Sequence, residues 1–496
     1  MMKKKTAALL LTMILCLSCC CAQALTMTGL ETELVGRDWS QSQFFARMEA
    51  LTGISVQASG VTDADDYARL LADMERGTVQ TDALFKANLS RAQETALLDA
   101  GAIIDLAPLI EENMPNLSAL LDAHPEWREV IALEDGRIAS LPLLNEAERQ
   151  AMLWINRAWL EQLGLPMPTT ITELTDALLA IRDGDPNGNG RADELGADLI
   201  GVYELRWLLP YFGIVADDYN LARNAAGEIV FAPELPGYRE FIALLRDWMA
   251  RGVLREDAFT AMHSTQALNE RDDDAPVVSG LLLSMTPYTH VPADAVMDYE
   301  PVLLPGPDGT TRWRDLLGCV WTGCFAVTSA CEDPAQALRW ADALYTEEGA
   351  LLGYAGVEGE DYAVNSEGLW SFILSGSRDV SKIRAQVLMY TGAAMPGLYP
   401  ARFISSVDSA IDRHVFAAND KALAVSERVT QAYCLSTADQ ARADALSAAV
   451  GALVDTGIAR FATGEVELTD ESYNAWLAEL KAAGSDELTA LFQGAE

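Results

Sequence analysis

Apolar and polar positions along the first hundred residues predict strands and helices in turn. Leu25 to Leu30 and the run GISVQASG (53–60) are typical of short buried strands. The next segment, DADDYARLLADMERG, ends at Gly77 and carries apolar side chains at helical spacing: Tyr67, Leu70, Leu71 and Met74. TDALFKA then returns to an extended pattern. This strand–helix–strand rhythm predicts parallel pairing with helices on the sheet faces, which is an α/β fold.

The middle of the chain is richer in helical patterns. Thr170 is a predicted N-cap, and Glu173 three residues later completes a capping box. Asp333 is a second predicted N-cap, with Pro334 in the first helical turn. No long Pro/Gly/Ser linker separates independent domains, so we expect two lobes connected by several crossings of the chain.

Charge and motif content exclude several classes of protein. The formal net charge is -38, and such a surface repels phosphate backbones, so we expect no nucleic-acid partner. The sequence contains no G-x-S-x-G, no G-x-x-x-x-G-K and no H-E-x-x-H motif, and its four histidines stand singly. We therefore predict a protein that is not an enzyme.

Residues 1–24, MMKKKTAALLLTMILCLSCCCAQA, are predicted to be an export signal, with three lysines before a short apolar run. Two processing routes stay open. Cys19, or alternatively Cys20, would be acylated if this is a lipoprotein signal. The small-x-small tripeptide AQA (22–24) would instead allow ordinary cleavage. Either route places the mature chain outside the cytoplasm, and no later segment is predicted to span a membrane.

The cysteines beyond the leader do not indicate a disulfide scaffold. They are too few for a chain of this length: Cys319, Cys324, Cys331 and Cys434. Cys319 and Cys324 lie an odd number of residues apart in a predicted strand and point to opposite faces, which argues against a shared metal. Packed thiols or one disulfide are the alternatives.

Residues 182–194, RDGDPNGNGRADE, place oxygen-bearing side chains at alternate positions between glycines. A hard cation such as calcium binds about six to eight such oxygens. Two registers fit. The first begins at Asp183 and matches the EF-hand formula, with Glu194 in the twelfth position. The ligands of the second are Asp185, Asn187, Asn189, Arg191 through its carbonyl oxygen, Asp193 and Glu194.

We prefer the second register for two reasons. In the first register, Gly190 occupies a position at which EF-hands usually carry an aliphatic residue. The following LGADLIG also reads as extended chain, so no second flanking helix follows. Asp183 then lies beyond the direct ligands. A solvated Asn/Gly turn is the alternative without an ion. A bound calcium here would brace one lobe structurally.

Two stretches together, LWINRAWLEQLGLPMPTTITEL and DPNGNGRADE, resemble the extracellular solute-binding proteins of ABC importers, family 1. They are particularly similar to the calcium-containing alginate-binding proteins. Further segments in the expected order, such as DAGAIIDLAPLIEENMPNL and YAGVEGEDY, extend the likeness over most of the mature chain. The resemblance implies a class II periplasmic-binding-protein fold, in which each lobe is a mixed, mostly parallel sheet flanked by helices and hinge strands cross between the lobes. It also implies the second calcium register.

The resemblance also divides the chain and assigns partners. The N-terminal lobe is expected to comprise 25–143 and 290–345, and the C-terminal lobe 144–289 and 346–496, with the calcium loop at 183–194. We expect a monomer that captures an oligosaccharide by lobe closure and delivers it to the transmembrane subunits of an ABC permease. The membrane is touched only through a lipid anchor. The alternatives are a peptide or other polar solute in the same cleft, and a secreted carbohydrate-active enzyme.

A sugar-binding cleft is expected to carry aromatic rings beside planar polar side chains, because sugars present both C–H faces and hydroxyls. The predicted ligand-contacting residues are Asp38, Trp39, Arg206, Trp207, Tyr288 and Trp321. For each of these aromatic rings, packing in the core is the alternative.

Overall fold

The fold is taken from a computed structural model, which describes residues 24–32, 34, 37–146, 150–261, 276–315, 320–390, 395–429 and 435–495. The predicted leader and Cys19, Cys20, Cys319 and Cys434 lie outside the described residues. The strands, in chain order, are β1 Leu25–Leu30, β2 Val56–Val61, β3 Ala83–Phe85, β4 Leu141–Asn145, β5 Met152–Asn156, β6 Leu195–Ala197, β7 Leu221–Arg223, β8 Ile229–Phe231, β9 Ser279–Ser284, β10 Tyr299–Pro301, β11 Trp313–Arg314, β12 Val320–Val327, β13 Tyr362–Val364, β14 Trp370–Phe372, β15 Gly397–Tyr399 and β16 Ser426–Glu427.

The helices, in chain order, are α1 Gln43–Thr52, α2 Ala64–Glu75, α3 Arg91–Asp99, α4 Ala107–Asn113, α5 Pro115–Ala123, α6 Pro125–Ile131, α7 Arg157–Gln162, α8 Ile171–Asp183, α9 Gly201–Leu205, α10 Pro236–Ala250, α11 Pro334–Asp342, α12 Glu347–Tyr354, α13 Val380–Gln386, α14 Ala401–Ser405, α15 Ala410–Leu423, α16 Thr437–Ala462, α17 Asp470–Ala482 and α18 Ser485–Gly494. The alternation that the sequence predicts in the first hundred residues is confirmed as β1, β2, α2 and β3. Asp63 caps α2 by accepting a hydrogen bond from Asp66 N at 2.9 Å.

The first sheet has the strand order β15-β4-β12-β3-β1-β2. β12 runs antiparallel to both of its neighbours, and the other pairs run parallel. One apolar cluster joins this sheet to α1, α4, α5, α11 and α12. Another joins it to α2 and α3. The sheet is therefore mixed and covered by helices on both faces, as an α/β lobe requires.

The second sheet has the strand order β10-β5-β9-β6, in which β6 and β9 are parallel and the other pairs antiparallel. Helix α8 buries Leu174, Ala177, Leu178 and Ile181 against this lobe. The predicted cap of α8 is confirmed in part. The Thr170 hydroxyl accepts from Glu173 N at 3.2 Å, but Glu173 Oε2 accepts from Thr169 N at 2.8 Å instead of closing the box on Thr170.

Helix α16 corrects one expectation. Its stretch Ala438–Ala462 is long and apolar enough, by length and composition, to cross a membrane. In the fold, however, an apolar stripe at helical spacing packs into the core of the second lobe: Ala443, Leu446, Val450, Val454, Ile458 and Phe461. A helix that packs into the core of a lobe can have the same composition, and the buried stripe assigns α16 to this core.

The chain passes between the two sheets after β4, before β12 and between α14 and α15. Residues 24–146 and 320–405 build the first lobe, and 150–315 and 410–495 build the second. The predicted boundaries near 290 and 345 are therefore wrong. β10 pairs in the second sheet, and β15 pairs in the first. An amphipathic stripe predicts a buried helix face but not which sheet buries it, so periodicity could not place these boundaries.

Candidate functional site

The facing edges of the two lobes follow from the strand directions. β4 and β15 end, and β12 begins, beside the chain crossings of the first lobe. In the second lobe, Ser284 at the end of β9 pairs with Met152 at the start of β5, directly after a crossing. Ligands of open α/β sheets bind in the crevice outside such strand ends. The cleft is therefore bordered by these edges.

Three aromatic side chains on the first-lobe edge form what we call the aromatic platform: Trp321, Tyr390 and Tyr399. Their rings pack on the buried Leu143 and Cys324 and remain partly exposed. The Tyr390 and Tyr399 rings are stacked, with centroids 4.9 Å apart and planes inclined by 19°. Such a surface is apolar, flat and already ordered, which suits the C–H face of a ring-shaped ligand.

Two exposed tyrosines, which we call the tyrosine pair, lie on the second-lobe edge. Tyr203 in α9 follows the carboxyl end of β6, and Tyr288 follows the carboxyl end of β9. Since β6 and β9 are adjacent parallel strands, both tyrosines lie at the same edge of the sheet. They are 45% and 38% exposed, unlike the packed rings of the aromatic platform.

Polar groups surround the tyrosine pair. Ser284 Oγ lies 2.7 Å from Thr289 Oγ1, which lies 2.8 Å from His290 Nδ1. Burial lowers the pKa of His290, which favours the neutral ring. Burial also raises the pKa of Glu204 to about 7, although the N–H of Ile200 donates to Glu204 at 2.8 Å and opposes the shift. The neutral His290 ring and the hydroxyls of Ser284 and Thr289 therefore offer uncharged donors and acceptors at this edge.

A small cavity elsewhere between the lobes does not fit a large ligand. It has a volume of about 130 Å³ and is lined by α3, including Arg91 and Thr95, and by α16, including Gln440 and Asp444. Sites for drug-sized ligands usually enclose about 300–1,000 Å³. We assign the ligand site to the facing edges because they carry the aromatic platform and the tyrosine pair at the ends of the strands.

The predicted contact residues Asp38 and Trp39 differ in their exposure to solvent. Trp39 is only 1% exposed, its indole N–H donates to Glu31 at 3.0 Å, and its ring packs edge-on against Phe85. The predicted ligand contact of this ring is wrong, because the core of the first lobe already encloses it. Asp38 is exposed and caps the following turn through Ser40 N at 2.9 Å.

Arg206 and Trp207 differ in exposure in the same way. Trp207 is 1% exposed, with its ring centroid 5.7 Å from that of Trp313 and the Arg314 guanidinium 5.3 Å above its ring. A ligand contact for this ring is therefore wrong as well. Arg206 is partly exposed and donates to Asn220 Oδ1 at 2.6 Å. Of the predicted aromatic contacts, Tyr288 and Trp321 lie on the facing edges.

Sequence reasoning missed Tyr203, Tyr390 and Tyr399. None of them stands in a recognisable motif, and the sheet topology brings Tyr390 and Tyr399 beside Trp321. A weak signal was available at Tyr399, which ends a short apolar run directly before Pro400. Cys324 and Cys331 are buried free thiols, and Cys324 supports the aromatic platform.

The loop 183–194 brings its polar side chains together. Asp185 Oδ2 accepts from Gly190 N at 2.9 Å, and Asn189 Oδ1 accepts from Arg191 N at 2.8 Å. The Asn187 and Asn189 amides both donate to Asp193 Oδ1 at 3.1 Å. Asp183 points elsewhere, since its carboxylate accepts from Arg182 Nε at 2.8 Å and its side chain is 65% exposed.

Glu194 gives the loop an unusual property. The residue is 4% exposed and, within the described residues, Glu194 Oε2 is buried without a hydrogen-bond partner. Among those residues, no three or more His, Cys, Asp or Glu side chains form a group that could hold a metal. Here, however, asparagine amides lie between the carboxylates, and a half-turn of each amide would present Oδ1 in place of Nδ2. The donor set and the unpartnered carboxylate oxygen fit a hard cation.

Comparison with known proteins shows which proteins this chain is similar to. No family model matches the chain. The sequence is 27% identical over 341 residues to the fructooligosaccharide ABC transporter substrate-binding protein FusA of Streptococcus pneumoniae serotype 4. The aligned region covers 66% of this chain and 62% of that relative's own length, which is less than two thirds.

The solved structures agree with the two-lobed architecture. FusA in complex with kestose matches with a TM-score of 0.72 and 20% identity, over 95% of this chain and 98% of that chain. An HMO-binding solute-binding protein of an ABC transporter from Bifidobacterium longum infantis matches with a TM-score of 0.77 and 19% identity, over the same shares. Alginate-binding protein AlgQ2 without calcium matches with a TM-score of 0.68 and 17% identity, over 96% and 98%.

The fold is the one that two-lobed solute-binding proteins have. The chain is a relative of the substrate-binding proteins of ABC transporters, as the resemblance in the sequence predicted. The relatives named here bind solutes and are not enzymes, in agreement with the missing catalytic motifs.

Proposed function

We propose that this protein is the extracellular solute-binding component of an ABC importer and that its solute is an oligosaccharide. The ligand lies between the aromatic platform on one lobe and the tyrosine pair on the other. Closure of the lobes then makes both sets of contacts at once, and the closed form is presented to the transmembrane subunits of a permease. Among the comparison proteins, FusA binds kestose and the Bifidobacterium protein binds HMO.

One observation carries the proposal: aromatic rings lie on both facing edges of the cleft. Sugar rings stack their C–H faces on such rings, and their hydroxyls bond to polar groups such as Ser284, Thr289 and His290. The net charge of -38 favours a neutral ligand over a polyanion. Asp38 and Arg206 stay predicted contacts at the margins of this site.

The ligand class is tested by native mass spectrometry of the purified protein, followed by a thermal-shift screen. The screen compares neutral fructose-, galactose- and glucosamine-containing oligosaccharides with peptides of similar mass. We expect the melting temperature to rise with at least one oligosaccharide, and the glycan to be recovered unchanged. Stabilisation by peptides alone would replace the oligosaccharide with a peptide ligand. Cleavage of the stabilising glycan would instead support a secreted carbohydrate-active enzyme.

We also propose that the loop 183–194 binds structural calcium. The expected ligands are Asp185, Asn187, Asn189, Arg191 through its carbonyl, Asp193 and Glu194. Support comes from the unpartnered Glu194 Oε2 and from the solvent-facing position of Asp183, which favours the register that begins at Asp185. The comparison structures include a FusA EF-hand mutant and AlgQ2 without calcium.

Export and anchoring complete the proposal. Acylation at Cys19, with Cys20 as the alternative, would leave only a few residues before β1, whose first residue Leu25 is already buried in the first lobe. Such a short tether would hold the lobe close to the membrane. Mass spectrometry of the mature N-terminus distinguishes the two routes, since a diacylglyceryl cysteine supports the anchor and an unmodified terminus after AQA supports simple cleavage.

A further inference from the structure

Behind the aromatic platform lies a buried tyrosine with an unusual hydroxyl. Tyr354, the last residue of α12, is 7% exposed, and its ring centroid lies 4.3 Å from that of Tyr390 and 4.6 Å from that of Tyr399. Its Oη is buried and has no hydrogen-bond partner among the described residues. A buried hydroxyl without a partner is destabilising, so its retention calls for an explanation.

The polar groups next to this hydroxyl already donate hydrogen bonds elsewhere. The Tyr345 hydroxyl donates to Pro142 O at 2.6 Å. The Cys324 thiol lies 3.3 Å from Trp321 O and donates to it. Neither group is therefore placed to satisfy Tyr354. The Tyr354 ring also touches Tyr390 and Tyr399, which belong to the aromatic platform at the edge of the cleft.

We propose that Tyr354 is a specificity-determining residue of the ligand site, an inference that rests on the proposed function. Its hydroxyl bonds to a polar group of the oligosaccharide that binds at the aromatic platform. In the free protein the hydroxyl is unsatisfied, and in the complex it gains its partner. The Tyr354 hydroxyl is thus a hydrogen-bonding group of the binding site that has a partner only in the complex.

The substitution Tyr354→Phe removes this hydroxyl and keeps the ring. We expect the free protein to melt at the same temperature as the parent or slightly above it. The dissociation constant for the strongest oligosaccharide of the screen should rise about three- to tenfold, as for the loss of one hydrogen bond. Calorimetric titration measures the affinity, and differential scanning calorimetry measures the stability.

Tyr345→Phe is the matched control. Tyr345 is equally buried and close by, but its hydroxyl has a partner in the fold. This variant should therefore melt lower and keep the affinity of the parent. An unchanged dissociation constant in Tyr354→Phe would overturn the proposal, as would a fall in its melting temperature equal to that of Tyr345→Phe.

Oligosaccharide binding by the parent protein separates a failure of this proposal from a failure of the proposed function. If no oligosaccharide binds the parent protein, the proposed function is wrong and Tyr354 has no ligand to select. If the parent binds and Tyr399→Ala abolishes binding while Tyr354→Phe does not weaken it, the cleft assignment stands. In that case only the role of the Tyr354 hydroxyl is rejected.

Discussion

The two lobes meet the cleft with different chemistry. The first lobe presents stacked rings that rest on a buried strand and thiol, so its contact surface is ordered before a ligand arrives. The second lobe presents two separate, exposed tyrosines, one in α9 and one after β9, together with the neighbouring hydroxyls of Ser284 and Thr289. Preordered surfaces lose less conformational entropy on binding. Under the proposed function, we therefore expect the first lobe to anchor the ligand and the second lobe to complete the contacts on closure.

Removal of the calcium that we propose for the loop 183–194 should give the largest effect, and it should act on the stability of the second lobe. At a calcium concentration about 1,000 times the dissociation constant, the ion contributes about 4 kcal/mol. For a lobe of this size, chelation should lower the melting temperature of the second lobe by about 10 °C. Hydrogen exchange should show lost protection in α8, β6 and β9, with β1 and β3 little changed.

The control for calcium removal is Asp193→Asn, which takes one negative charge from the loop. This variant should bind calcium more weakly and approach the melting temperature of the chelated parent protein. Identical melting curves with calcium and with chelator would reject a structural ion at this loop.

Substitutions in the aromatic platform should have the next largest effect, which is a loss of ligand affinity. Trp321→Ala or Tyr399→Ala removes a partly exposed ring that we assign to the ligand, at a cost of about 2–3 kcal/mol, or roughly 30- to 150-fold in affinity. Trp39→Phe is the control, because this ring is buried in the core of the same lobe. It should lower the free energy of unfolding by about 1–2 kcal/mol and leave the affinity unchanged. A larger affinity loss in the control than in Trp321→Ala would reverse the assignment.

Substitutions in the second lobe should have smaller effects. Tyr288→Ala and Tyr203→Ala each remove one exposed ring, and we expect each to weaken binding by about 1 kcal/mol, or roughly fivefold. Calorimetric titration with the same oligosaccharide provides the comparison. If these losses equal or exceed those of Trp321→Ala, the second lobe is the anchor and the proposed order of contacts is inverted.

The smallest expected effect concerns pH. Burial raises the pKa of Glu204 from 4.5 to about 7, so the folded state binds a proton more tightly than the unfolded state does. The stabilisation is fully present below pH 4.5 and is lost as the pH rises through 7. Glu204→Gln removes this dependence.

Denaturant titrations of Glu204→Gln and the parent at pH 4.5 and 8 measure the effect. The stability of the variant relative to the parent should increase towards pH 8 by less than about 1 kcal/mol, since Glu204 is only partly buried. A relative stability that is constant over this interval would place the titration of Glu204 outside it.

Much of the fold could be predicted from local patterns. The strand at Leu25–Leu30, the N-cap Thr170 and the helix that begins at Pro334 depend on short-range periodicity and capping, which the sequence displays directly. The oxygen-rich loop is also a local pattern. The lobe boundaries were not predictable in this way, because pairing of β10 and β15 is decided by partners far away in the chain.

The candidate ligand site shows the same limit. Trp39 and Trp321 both stand near polar residues in the sequence, and only tertiary packing distinguishes them. The Gly60 backbone lies against the Trp39 ring and helps to enclose it, whereas Trp321 lies at a register shift at the start of β12 and stays partly exposed. Tyr390 and Tyr399 join it through the topology of one sheet.

The position of β12 has a consequence for biosynthesis. This antiparallel strand lies inside the first sheet, between β3 and β4, yet it is translated only after most of the second lobe. The outermost strand β15 follows later still. The first lobe therefore cannot complete its sheet until residue 399 has been translated. Pairing between strands so far apart in the sequence forms slowly, so we expect the first lobe to fold late in synthesis.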